Sequence, residues 1–158
     1  MKNKFRILLI SSTLLIFSSC LKNEICSSIN IRLEAGIYNK DSNNLITGLV
    51  ATKIDVDTIY AISMENNHLL LNAKQIDKIK FPLNNDTNES SFVLSFGNIK
   101  DTLHIFYDKQ LYFNSIKCGV YYNYTITKID FSTNLLQEVI LTKPEINVVS
   151  AQNIQLVF

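Results

Sequence analysis

The sequence predicts an all-β domain, either an antiparallel β-sandwich or a partly open β-barrel. Apolar and polar residues alternate with a period of two over most of the 158-residue chain, which is typical of half-buried strands. Turn-forming segments recur about every 8 to 12 residues, as in sandwiches and barrels. No apolar stripe of helical period runs for a convincing length. We therefore expect about eight or nine strands and little or no helix in the mature domain.

The strand candidates follow one another along the whole chain after residue 28. The alternation in residues 29–37 predicts the first strand, and residues 47–63 predict one long strand or two short ones. The firmer candidates are 29–37, 58–62, 68–71, 79–81, 92–96, 102–107, 119–131, 139–141 and 154–158, with a short segment at 146–148. Polar, Asn-rich or Gly-containing turns separate them, because Asn and Gly tolerate left-handed backbone geometry. We expect residues 72–77 and 109–117 to be connections.

The longest candidate, residues 119–131, also predicts an irregularity. Tyr122, Tyr124 and Ile126 share one face of this strand, which points inward. Ile129 and Phe131 break that phase. We therefore expect a bulge or bend near residues 127–128.

The N-terminus has the pattern of a secretory signal peptide. Three basic residues occur within the first six positions, and residues 7–17 are apolar apart from three hydroxyl residues. A membrane-spanning helix needs about 20 apolar residues, so this run is too short to be one. We exclude residues 1–19 from the fold and treat them as a lipoprotein signal peptide.

Residues 17–20, Phe-Ser-Ser-Cys, resemble the lipobox of bacterial lipoproteins, with Phe17 where Leu is usual. On this interpretation Cys20 carries a thioether-linked diacylglycerol and an acylated amine. Stable anchoring takes at least two lipid chains, and this modification supplies three. The alternative is ordinary signal cleavage that leaves Cys20 as a thiol. We expect residues 20–26 to be a lipidated tether and residues 27–158 one β-sandwich domain, anchored in the bacterial envelope at the outer membrane.

Charge limits the classes of partner. The chain beyond residue 19 carries 12 basic and 14 acidic residues, a net charge of −2. Nucleic-acid binders concentrate positive charge, so we expect no nucleic-acid partner. Electrostatic adhesion to anionic lipid is disfavoured as well. The expected membrane contact is therefore the lipid on Cys20, and the expected partner is an envelope protein or a glycan.

Two cysteines, Cys26 and Cys118, remain once Cys20 is lipidated. An exported compartment permits disulfides, so we predict a Cys26–Cys118 bond. It would close a loop of about 93 residues and contribute roughly 4 to 5 kcal/mol in the chain-entropy model. The alternative is two buried free thiols. Two thiols without a nearby histidine do not form a zinc site, so no metal and no cofactor are expected.

No catalytic residues are predicted. His68 and His104 are the only histidines, and no nucleophile-elbow motif accompanies them. Asp55 and Asp57 share a strand face but lack calcium-loop spacing, so a solvated face is the preferred interpretation.

A candidate binding surface combines Tyr121, which should point outward, with Asp86 and Glu89 in the polar loop 84–90. The alternatives are a core role for the surrounding aromatic residues and a mobile loop at 84–90. Two short patterns, Asp-Thr-aliphatic, also make Thr58 and Thr102 candidate O-glycosylation acceptors, with Thr102 the better one.

Several segments in order resemble a family of small Bacteroidota lipoproteins of unknown function. They are Cys20, residues 24–26, 32–33, 81–84, 91–94, 101–103, 118–119 and 122–124. The resemblance implies an exported, β-rich lipoprotein with a cysteine pair, and it implies no activity. We expect a non-catalytic, lipid-anchored envelope protein with a structural or protein-binding role, or alternatively a module that binds a glycan or small ligand.

Overall fold

The computed structural model describes residues 29–41, 48–62, 68–149 and 151–158, and these residues form an all-β structure without helix. The described residues form eleven strands, more than the eight or nine expected, because several short segments pair separately. They are β1 Arg32–Lys40, β2 Leu49–Ala51, β3 Ile54–Ala61, β4 His68–Ile76, β5 Lys78–Pro82, β6 Glu89–Phe96, β7 Ile99–Ser115, β8 Gly119–Phe131, β9 Glu138–Leu141, β10 Glu145–Ile146 and β11 Gln152–Val157.

The strands form two sheets, which confirms the predicted β-sandwich. The first sheet has the order β2-β1-β11-β9, and β5 also pairs with β1. The second sheet has the order β10-β8-β7-β6-β3-β4. Eight of the nine strand pairs among the described residues are antiparallel, and the ninth, β1 with β11, is parallel. A parallel pair needs a long crossover, and here most of the domain lies between the two strands.

The core lies between the sheets and follows from the period of two. In β1, Leu33, Ala35 and Ile37 face inward and are buried, as the alternation predicted. Phe81 of the first sheet contacts Phe92 of the second, with ring centroids 4.7 Å apart. Buried apolar residues from both sheets form one cluster around these contacts. Burial at about 25 cal/mol per Å² of apolar surface is the main stabilising contribution to such a core.

The predicted bulge in the longest strand is confirmed. Phe106 of β7 pairs with Lys128, but Tyr107 pairs with Ile126, so Thr127 is an extra residue in β8. This insertion shifts the phase of β8 between Ile126 and the residues that follow.

The predicted connection at residues 109–117 is wrong for most of its length. Strand β7 runs on to Ser115, because residues 109–113 pair one to one with β8. Residues 72–77 are also largely strand, with a bulge near Gln75. Gln75 has a φ of 52°, and the Asp55 carboxylate accepts a hydrogen bond from its backbone N–H at 3.0 Å. Neither segment alternates regularly between apolar and polar residues, but backbone pairing makes both of them largely strand.

A buried carboxylate fixes the passage of the chain from one sheet to the other. Asp101, on β7, is fully buried. Its Oδ1 accepts hydrogen bonds from the Ser132 hydroxyl at 2.7 Å and the Asn134 N–H at 2.8 Å. Its Oδ2 accepts from the N–H groups of Leu135 and Leu136 at 2.8 and 2.9 Å. These bonds hold the segment between β8 and β9 and place Leu136 in the core.

The ionised form of Asp101 is the stable one. Burial acts to raise the pKa of this carboxyl, but the four donors to its oxygens outweigh burial and hold the pKa below its ordinary value. The hydrogen bonds to charge are therefore part of the folded state at neutral pH.

We expect Asp101→Asn to destabilise the domain by about 3 kcal/mol, because the amide NH₂ would face backbone N–H donors and leave them unsatisfied. Urea denaturation at neutral pH measures this loss. Asp108→Asn, at an exposed position of the same strand, is the matched control and should stay close to the unsubstituted protein. Equal midpoints for the two variants would contradict the role of Asp101.

The stabilisation by Asp101 should also depend on pH. The folded pKa is below the unfolded value of about 3.9, so the contribution is complete above about pH 5 and is lost as pH falls through the folded pKa. The difference in unfolding free energy between the protein and Asp101→Asn should therefore shrink in acid. A constant difference across this range would contradict the ionised role.

Candidate functional site

The distal part of the β7–β8 hairpin projects from the sandwich. Strand β6 pairs with β7 only as far as Phe106, and β10 pairs with β8 only at Tyr124 and Thr125. Residues 109–123 therefore extend beyond the neighbouring strands as a two-stranded ribbon, which we call the arm. The arm is an exposed surface, and its composition determines what it can contact.

Large apolar side chains are exposed on the arm. Phe113 is 67% exposed and Ile116 98%, while Leu111 and Val120 are 55% and 56% exposed. Leu111 and Phe113 continue the inward-facing phase of β7, and Val120 pairs with Phe113 across the ribbon. The face of β7 that is buried within the sandwich therefore continues along the arm, where it is exposed to solvent. Contiguous exposed apolar side chains of this kind mark interaction surfaces.

Tyrosines occupy both faces of the arm. Tyr112 and Tyr121 are cross-strand partners whose rings stack, with centroids 5.7 Å apart. Tyr122 lies on the other face, where the Lys109 ammonium is 5.8 Å from its ring centroid. These rings present apolar area together with a polar hydroxyl, which suits a surface that meets both water and an apolar partner.

The tip of the arm is a tight turn. The Cys118 N–H donates to the Ser115 hydroxyl at 3.1 Å, and Gly119 has a φ of 72°, a conformation that strongly favours glycine. The turn places Cys118 at the end of the arm. Cys20 and Cys26 lie outside the described residues, so lipidation and the Cys26–Cys118 pairing stay predictions.

Tyr107 holds the loop 84–90 against the base of the arm. Its hydroxyl lies 2.9 Å from the carbonyl of Asn84, 3.1 Å from that of Glu89 and 2.9 Å from the Ser90 hydroxyl. Burial raises the pKa of Tyr107 despite these hydrogen bonds. The phenol is therefore neutral at physiological pH and serves as a structural clamp.

Further contacts connect this loop to the arm itself. Lys109 donates to the carbonyl of Asn85 at 2.9 Å, and the Tyr124 hydroxyl donates to the Asn85 side chain. The Asp86 N–H donates to the Asn84 side chain at 2.8 Å. These bonds give the loop a defined conformation.

The predicted binding surface is divided between two faces. Asp86 and Glu89 are exposed in the loop segment, which contacts the inward-facing side of the arm. Tyr121 lies on the opposite side, stacked on Tyr112. The structure therefore does not bring Tyr121 and the two carboxylates together as one rim. Most of the exposed apolar residues of the arm fall within residues 109–117, for which the sequence predicts a connection and no binding surface.

A cleft of about 270 Å³ lies where the chain enters the first sheet. Its lining consists of residues 29–32 with Glu34, Lys80, Asn147 and Val148. Apolar side chains of Ile29, Ile31 and Val148 stand beside the charged groups. Polar and apolar surface together suit a small amphiphilic ligand.

The charges around this cleft centre on Glu34, which is only 7% exposed. Lys78 donates to one carboxylate oxygen at 3.0 Å, and the Lys80 ammonium lies 3.7 Å from the other. The hydrogen bond to Glu34 holds the pKa of Lys78 above its ordinary value. Arg32 adds a further positive charge, so cationic groups outnumber the single carboxylate here.

The cleft and the arm lie at the same end of the sandwich. Arg32, at the start of β1, pairs with Pro82, at the end of β5. The next residues of the chain, Asn84 and Asn85, contact Tyr107, Lys109 and Tyr124 at the base of the arm. The chain thus enters β1 at the end from which the arm projects.

The candidate glycosylation sites are both strand residues. Thr58 lies in β3 and Thr102 in β7, and each is half-buried. Thr102 pairs with Val93, and the residue after β8, Ser132, donates its N–H to the Thr102 carbonyl at 3.0 Å. Their modification stays a prediction.

A serine–histidine pair was not predicted from the sequence. The Ser91 hydroxyl lies 2.7 Å from Nδ1 of His104, and Asp130 is the cross-strand neighbour of His104 on the other side. Asp130 forms an ion pair with Lys128 at 2.6 Å. Ser91 and His104 do not line the cleft described above. Acyl transfer requires a bound substrate and an oxyanion site beside such a pair.

Within the described ranges, no group of three or more His, Cys, Asp and Glu residues is placed to hold a metal ion. The same residues contain no helix that is long and apolar enough to span a membrane.

Comparison with known proteins gives a family but no activity. No curated protein and no solved structure matches the chain. Residues 57–158, from β3 to the last residue, match a family model. The match includes the arm, the loop 84–90 and the buried Asp101. The chain therefore belongs to the family described as "Family of unknown function (DUF6452)".

Proposed function

We propose that this protein is a non-catalytic, lipid-anchored component of the bacterial envelope that holds its β-sandwich close to the membrane and binds an envelope partner there. The observation that carries this proposal is the Ser-Ser-Cys sequence at residues 18–20, directly after a signal-like segment and nine positions before the first described residue, Ile29. Two or more lipid chains on Cys20 would anchor the domain stably. The resemblance to small Bacteroidota lipoproteins favours the outer membrane.

The structural roles of several polar side chains support a non-catalytic function. In the described part of the chain, Asp101 and Tyr107 are buried and hydrogen-bonded to loops that they hold in place. Asp55 likewise supports a bulge at the edge of the second sheet. These groups stabilise the fold, and the exposed features are surfaces suited to binding.

We expect Cys20→Ser to release the protein from the membrane or to stall it as the uncleaved precursor, because the acylated thiol is the proposed anchor. Fractionation of cells into soluble and membrane parts, with intact-mass analysis of the native protein, measures both outcomes. Cys26→Ser is the matched control, since it removes a thiol six positions away but keeps the lipidation site. Membrane association of Cys20→Ser equal to that of the native protein would refute the anchor.

The same proposal includes a Cys26–Cys118 disulfide, which would join the tether to the tip of the arm. We expect a peptide that contains both cysteines in a non-reducing digest of the native protein, and its separation into two peptides after reduction. Alkylation of both thiols without prior reduction would contradict the bond. Loss of this bond leaves the lipid anchor on Cys20 intact, so the two parts of the proposal are tested separately.

A second candidate function is the binding of an anionic sugar in the cleft. Arg32 and Lys80 supply positive charge, while Ile31 and Val148 supply apolar surface for the sugar ring. Arginine is suited to carboxylate recognition because its planar donors can form two parallel hydrogen bonds.

We expect glucuronic acid to raise the midpoint of thermal unfolding, because a ligand that binds only the native state stabilises it. Arg32→Gln should abolish most of this rise, whereas Lys100→Gln, an exposed position at the start of β7, should retain it. An equal rise with glucose, or an unchanged rise in Arg32→Gln, would contradict anionic recognition in the cleft.

A further inference from the structure

We propose that the tip of the arm docks into the interface of the lipid bilayer and orients the sandwich on the membrane, with Phe113 and Ile116 entering the headgroup region. This inference rests on the lipid anchor proposed at Cys20. It goes beyond that anchor because it assigns a second, non-covalent membrane contact to residues 109–123.

The position of the arm is the first support. The chain enters β1 at the end of the sandwich from which the arm projects, as the contacts of Asn84 and Asn85 show. Nine residues from Cys20 to Ile29 extend over at most about 30 Å. The arm strand from Lys109 to Ser115 is about 23 Å long at the usual rise of a strand. In the anchored protein, the arm would therefore span most of the distance between the sandwich and the bilayer.

The chemistry of the arm is the second support. Its most exposed apolar side chains, Phe113 and Ile116, are at or beside the tip, and the tyrosine pair Tyr112–Tyr121 follows behind them. Tyrosine is enriched at the boundary between hydrocarbon and water, where its ring and hydroxyl are both satisfied. Exposed apolar side chains near the tip, followed by an aromatic pair, are the arrangement expected of a segment that enters a membrane interface.

The charge of the arm is the third support. Lys109 and Lys117 are the charged residues of the arm, residues 109–123, which contains no acidic residue. The chain beyond residue 19 is otherwise acidic overall, so positive charge is concentrated where the bilayer contact is proposed. Basic residues close to an anionic membrane surface are attracted to it.

A single tryptophan tests the contact, because the chain contains none. Phe113→Trp places the reporter at an exposed position of the arm, where a larger ring does not disturb the core. The full-length lipoprotein is reconstituted in vesicles of phosphatidylethanolamine and phosphatidylglycerol that contain brominated phosphatidylcholine. We expect a blue shift and quenching of the tryptophan emission by the brominated chains.

The matched control is Leu71→Trp. Leu71 is 62% exposed, similar to Phe113, but lies on β4 at the other edge of the second sheet. Its emission should stay red-shifted, remain accessible to iodide in water and show no quenching by brominated lipid. Equal quenching at the two positions would contradict an oriented contact through the arm.

The outcomes separate this inference from the anchor. If the protein stays with the vesicles but Phe113→Trp is quenched by iodide and not by brominated lipid, the anchor holds and the docking of the arm is refuted. Protection of Phe113→Trp from iodide without lipid quenching, seen only with envelope extract, assigns the arm to a protein partner and also refutes docking. If the native protein fails to stay with the vesicles, the anchor itself fails.

Discussion

The sandwich depends on the buried Asp101 carboxylate. The chain leaves the second sheet after Phe131 and enters the first sheet at Glu138, so the intervening residues must expose backbone N–H groups inside the protein. Asp101 accepts hydrogen bonds from the N–H groups of Asn134, Leu135 and Leu136. An unsatisfied buried donor costs free energy comparable to a lost hydrogen bond. The Asp101 carboxylate avoids this cost for three backbone N–H groups of the crossing segment. The crossing leads into β9, which pairs with β11, and β11 pairs in turn with β1.

The arm can keep its shape because its base is held in place. An isolated two-stranded ribbon is at best marginally stable in water. Here Tyr107 and Tyr124 hydrogen-bond to the loop 84–90, and Lys109 adds a third contact from the ribbon to that loop. The polar groups that fix the loop thereby support the exposed apolar side chains of the arm, which lie beyond the pairing of β6 with β7 and of β10 with β8. Fold and candidate function are connected at this point of the structure.

Local sequence patterns predicted much of the fold. Alternation in residues 119–131 gave the bounds of β8, and the broken phase at Ile129 located the bulge at Thr127. The extension of β7 through Phe113 was missed, because residues 109–117 do not alternate regularly between apolar and polar side chains. The role of Asp101 was also missed, since its donors come from a segment about 30 residues away and no local pattern encodes them. The cleft near Arg32 likewise arises only when distant strands come together.

The parallel pairing of β1 with β11 has a mechanical consequence. The chain enters β1 at the end nearest the arm, whereas β11 ends beside Tyr38 at the far end, where the Phe158 N–H donates to the Tyr38 carbonyl. A force applied between the start of β1 and the end of β11 would pull these neighbouring strands in opposite directions along their length. The hydrogen bonds between them would then be loaded together in shear, instead of being opened one after another. Such a geometry resists extension.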